Sequence, residues 1–106
     1  MMLVYRKSIS VLQGLGSVAR RIARHDPDLA RQLRRAGSSV CLNIAEGEHG
    51  RGRRGQASFA VAFGSARESR ACVHVGVALG YLDEGVDETL LGELDQVIAM
   101  LYRLSR

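Results

Sequence analysis

The chain has 106 residues, 46% of them hydrophobic and 25% charged, with a net charge of +4 and a single proline. That size and balance suit one folded globular domain over residues 1–106 and exclude a disordered or collagen-like chain. No apolar run approaches the ~20 residues of a membrane span, and Met1-Met2-Leu3-Val4-Tyr5-Arg6-Lys7 lacks the basic-then-apolar order of a signal peptide, so a cytoplasmic protein without membrane contact is expected.

The first segment places Val4, Val11, Leu12, Leu15, Val18, Ala19 and Ile22 at the spacing of one helical face. The helix is expected to stop near His25. Asp26 then reads as the N-cap of a second helix, with Pro27 at its first position. Leu29, Leu33, Ala36, Val40 and Ile44 form the apolar stripe of that helix, which is expected to end at Glu46 with Gly47 as its stop. The stretch His49-Gly50-Arg51-Gly52-Arg53-Arg54-Gly55 reads as a flexible basic loop, because its glycines oppose helix.

A third helix is expected over Gln56–Leu82, with Phe59, Phe63, Ala66, Val73 and Val77 on its buried face. Asp83-Glu84-Gly85-Val86 reads as a turn, and Asp87 as the cap of a fourth helix carrying Leu90, Leu94, Val97, Ile98, Leu101 and Leu104. No strand-like alternation occurs. Four amphipathic helices joined by short turns bury their stripes most simply as an all-α, antiparallel, up-down-up-down four-helix bundle. Leu79, Leu82, Leu91 and Met100 lie outside the core stripes and are expected to be covered by further copies of the chain.

Gln32-Leu33-Arg34-Arg35-Ala36-Gly37-Ser38-Ser39-Val40, followed by Asn43-Ile44-Ala45-Glu46-Gly47, resembles the signature of the bacterial four-helix bundle protein family, first noted as products of intervening sequences in 23S rRNA genes. Gly64-Ser65-Ala66-Arg67-Glu68 and Leu79-Gly80-Tyr81-Leu82 are similar to its further landmarks. The resemblance implies a left-handed bundle assembled into a homopentamer. Related accessory proteins of diversity-generating retroelements bind nucleic acid and a reverse transcriptase through a basic face of such a ring. The sequence departs from the family at His25-Asp26-Pro27, where an aromatic-proline pair is usual, and at Gly37, where alanine is usual.

Charge is unevenly spread: residues 1–25 carry +5, 26–50 carry −1, 51–80 carry +4 and 81–106 carry −4. Fourteen of the fifteen basic residues are arginine, whose planar fork suits phosphate. Arg6, Lys7, Arg20, Arg21, Arg24, Arg51, Arg53 and Arg54 are the candidate contacts to RNA or DNA. The alternative is a protein-binding adaptor in which the basic first segment pairs with the acidic fourth segment of a neighbouring subunit.

Ser39, Asn43 and Glu46 share one face of the second helix, with Glu68 on the third. They read as a buried polar network bridging helices, since no histidine or nucleophile is placed to make them a catalytic site. Glu46-Gly47-Glu48-His49 contains one Glu-x-x-His half-site, but a di-iron centre needs two. Cys41 and Cys72 match no zinc spacing and read as small buried hydrophobes. The expectation is a non-enzymatic protein with no metal and no cofactor.

Overall fold

In a computed structural model, which describes residues 2–85 and 87–106, the chain forms four helices and, among those residues, no strand. They are α1 (Leu3–Ala23), α2 (Pro27–His49), α3 (Arg53–Ala78) and α4 (Glu88–Leu104). Met1 and Val86 lie outside the described residues, so the turn expected over 83–86 is described only as far as Gly85.

The helices pack as a ring of neighbours, α1 on α2, α2 on α3, α3 on α4 and α4 back on α1, as an antiparallel bundle requires. The pairing of α2 with α3 is the most extensive. The core is the expected set of stripes: Val11, Leu15, Val18 and Ile22 of α1 meet Leu33, Val40 and Ile44 of α2, with Phe59, Ala66 and Val73 of α3 and Leu94, Val97 and Leu101 of α4. Phe63, Val77, Leu90, Ile98 and Leu104 are half-buried at the rim of that core.

The first turn is built as its residues dictate. The Asp26 side chain accepts a hydrogen bond from the Leu29 amide at 3.0 Å, and Pro27 opens α2. At the other end of α2 the structure departs from the sequence pattern. Gly47 does not stop the helix; it is buried inside α2, which continues to His49. A methyl group there would lie 2.6 Å from the Phe59 ring, so glycine at this position lets α3 close on α2. The expected loop over His49–Gly55 shrinks for the same reason. Arg53, Arg54 and Gly55 already belong to α3, and a side chain at Gly55 would sit 3.1 Å from the Gly50 carbonyl oxygen. Tertiary contact here overrides the low helix propensity of glycine.

α3 ends four residues earlier than Leu82. Gly80, at φ +82°, turns the chain while the Tyr81 amide bonds the Gly76 carbonyl at 2.8 Å and the Gly80 amide bonds that of Val77 at 3.0 Å. This pair of bonds is the Schellman termination that left-handed glycine permits. Leu82 is thereby folded back into the core against Gly76 and Ile22, and is not free to meet a second subunit. Tyr81 stacks on His25 with ring centroids 5.2 Å apart, tying this connection to the α1–α2 turn.

Candidate nucleic-acid interface

Antiparallel packing decides which cations meet. α1 and α3 begin, and α2 and α4 finish, at one end of a bundle 43 Å long. Arg6 and Lys7 from α1, Arg51 from the α2–α3 turn, Arg53 and Arg54 from the start of α3, and Arg103 and Arg106 from the end of α4 all fall there. Against these seven basic residues that end has two acidic ones, Glu46 and Glu48. Arg20, Arg21 and Arg24, the remaining members of the expected set, lie at the opposite end. Between Arg6 and Arg20 the α1 rise alone amounts to about 21 Å. The candidate contacts therefore divide into two groups at opposite ends of the bundle.

Of the second group only Arg21 has a carboxylate partner among the described residues; Arg20 and Arg24 are exposed and have none. At the opposite end Arg21 is held by Asp87 at 2.8 Å, and Arg31 pairs with Asp28. At the basic end Arg6, Arg51, Arg53, Arg54 and Arg103 are exposed, and among the described residues none lies within ion-pair distance of a carboxylate. Arg106 lies over the Tyr102 ring with its carbon 4.6 Å from the centroid, and Gln56 donates to the Arg106 carbonyl at 2.8 Å. Lys7 is half-buried and donates to Gln96 at 3.0 Å, which makes it part of the α1–α4 seam.

Helix polarity adds to this field. α3 starts at Gly52 with no side-chain cap and no acidic residue in its first turn, which instead holds Arg53 and Arg54. Cations at a helix N-terminus oppose the macrodipole at a cost of about 0.3–1 kcal/mol each. Free amides and guanidinium groups converging there are the chemistry of an anion site. Arg103 and Arg106 escape a linear reading because the last segment as a whole, residues 81–106, carries −4. The antiparallel topology, not their neighbours, brings them to this end.

The expected polar network is smaller than the sequence suggests. Ser39 and Ser65 do bridge α2 and α3, with their hydroxyl oxygens 2.8 Å apart. Asn43 does not span helices: its amide donates to the Ser39 carbonyl at 2.9 Å and hydroxyl at 3.1 Å, both on its own helix. Glu46 and Glu68 are exposed and join no ion pair among the described residues. Ser69, fully buried, donates to the Ser65 carbonyl at 2.9 Å. Cys41 and Cys72 are free and buried; burial pushes both thiols above the ordinary range, with the Glu68 charge adding to the shift at Cys72. Among the described residues no cluster of three or more His, Cys, Asp or Glu side chains could hold a metal, and no helix is long and apolar enough to cross a membrane.

Comparison with known proteins places this bundle. Residues 1–103 match the family described as 23S rRNA-intervening sequence protein. The chain belongs to that family. A crystal structure of a protein of unknown function from the S23 ribosomal protein family of Bacteroides thetaiotaomicron superposes with a TM-score of 0.88 at 17% identity, covering 98% of this chain and 99% of that one. Likeness at that identity establishes the shared four-helix fold. No protein of curated function matches the chain.

Proposed function

We propose that the chain is a non-enzymatic, homo-oligomeric scaffold, pentameric as the family resemblance implies, that binds RNA or DNA through the arginines at one end of the bundle. The observation that carries this reading is the basic end itself: Arg51, Arg53 and Arg54 are exposed and, among the described residues, without carboxylate partners, beside a helix N-terminus that no side chain caps. Phosphate is the ligand that this combination fits, and each subunit of a ring adds one copy to a shared rim, so a long polyanion gains avidity. Phe59 is committed to the core and Phe63 to its edge, which leaves few aromatic platforms for bases and favours sequence-independent contact. A reverse transcriptase as protein partner rests on the resemblance to retroelement accessory proteins alone.

Support for self-association comes from α3, which carries apolar and small residues on its solvent side as well as on its core side. Ala57, Val61, Gly64, Ala71, Val75 and Ala78 are all exposed there. Val61 and Val75, exposed among these small residues, are apolar surface that a further copy would cover. Light scattering should return a multiple of the 11.5 kDa chain mass. Anisotropy titrations with unrelated RNA and DNA oligonucleotides should give similar affinities that fall steeply with salt. Absence of binding at low salt overturns the nucleic-acid reading and leaves a protein-binding adaptor.

A further inference from the structure

Two surface features that the basic end does not use are complementary to each other. The first is a cavity of about 370 Å³ where α3 and α4 meet their connection. Val73, Val77 and Leu91 supply its apolar wall, and Asp83, Glu84 and Glu88 stand around it. Among the described residues none of these three carboxylates has an ion-pair partner. His74 and Ala78 also line it, so it is continuous with the apolar outer side of α3. The second feature is Leu42, 67% exposed on the outer side of α2, the most exposed large hydrophobic among the described residues. Arg34, Arg35 and Ser38 share its surface patch, and neither arginine meets a carboxylate among the described residues.

We infer that Leu42 of one copy seats in the α3–α4 cavity of a second copy, with Arg34 and Arg35 facing Asp83, Glu84 and Glu88. The inference rests on the homo-oligomeric reading and names the surfaces that make the contact. Charge complementarity selects the occupant: the chain is basic overall, yet this apolar cavity is ringed by acids, and the exposed leucine is flanked by unpaired arginines. Because knob and socket are different surfaces, the contact is heterologous. Each subunit gives one and receives one, so assembly continues until a ring closes or a filament grows. Neither surface overlaps the basic end, which stays open for a polyanion.

The test uses two variants of exposed residues, Leu42→Asp, which removes the knob, and the double change Glu84→Arg with Glu88→Arg, which reverses the socket. Circular dichroism should show unchanged helix content in both. Each alone should run as a monomer at micromolar concentrations where the unaltered chain is oligomeric. Mixed in equal amounts they should form a dimer of twice the 11.5 kDa chain mass, since one intact knob and one intact socket remain, and should go no further. Variants that assemble like the unaltered chain overturn this interface while the oligomeric reading stands. A mixture that stays monomeric overturns the pairing of these two surfaces. An unaltered chain that is itself monomeric overturns the oligomeric reading and this inference with it.

Discussion

The two ends of the bundle hold similar numbers of cations but very different net charge. The end bearing the α1–α2 turn and the α3–α4 connection has six arginines, from Arg20 to Arg35, but also six acids, among them Asp26, Asp28, Asp87 and Glu88. The end bearing the α2–α3 turn has seven basic residues against two acids. Nearly all of the net positive charge thus resides at one end. Arginine content along a chain is a poor guide to a binding surface; the neighbours that folding supplies decide whether a guanidinium is free.

This contrast sets the largest expected effect. Replacing Arg51, Arg53 and Arg54 with glutamine should weaken nucleic-acid binding on the order of a hundredfold near 0.1 M salt, and lower the slope of log K against log salt by about three. The same change at Arg20, Arg24 and Arg31 should alter affinity by no more than about threefold, because the acids at that end balance its cations. Anisotropy titrations at several salt concentrations compare the two triples directly. Equal losses from both would show that the ends are not distinct in binding.

Packing distinguishes the ends as well. At the basic end Gly47 lets Phe59 lie against the α2 backbone, with no room for a methyl group. Gly47→Ala should destabilise the fold by about 1–3 kcal/mol through overpacking, measured by urea denaturation. It should also weaken polyanion binding by displacing the start of α3. A full-affinity, full-stability Gly47→Ala protein would separate the basic end from this packing.

At the other end Asp87 holds Arg21 across α1 and α4, with the carboxylate side chain 16% exposed. Asp87→Asn should cost about 1 kcal/mol in stability, on the scale of a partly buried charged hydrogen bond, and release Arg21. Binding should then rise by about twofold at low salt, and the rise should vanish at high salt. A fall in affinity would contradict the charge comparison.

The smallest effect falls between the ends. Asn43 is half-buried and bonds only within α2, so Asn43→Ala should cost about 0.5–1 kcal/mol. Ser39→Ala, which breaks the bridge to Ser65, should cost at least as much in the same denaturation assay. The reverse order would restore to Asn43 the bridging role expected from its sequence position.

Helix number, the Asp26-Pro27 start of α2 and most of the core were legible in the chain, because apolar spacing and capping are local. Leu15, Leu33, Ile44, Leu94 and Leu101 are each 2% exposed or less, as their periodicity requires. The candidate site was legible in part. Arg51, Arg53 and Arg54 stand out as a basic run, whereas Arg103 and Arg106 are hidden by the acidic residues of the last segment. The division of Arg6 from Arg20 is invisible until α1 is a rod.

Four helices with apolar stripes and the Asp26-Pro27 turn are written in the chain, since each follows from residues a few positions apart, and the excess of arginine is plain in its composition. That Gly47 and Gly55 lie inside helices, that Leu82 turns inward and that Asn43 serves its own helix comes from the packing of the folded chain. Gly47 and Leu82 answer to neighbours distant in the chain, the Phe59 ring and Ile22, whereas Gly55 closes on Gly50 across the tight α2–α3 turn and Asn43 bonds Ser39 one helical turn away. The basic end, too, comes from packing. Its charge comes from three separate stretches, and antiparallel packing is the physical reason that they lie together.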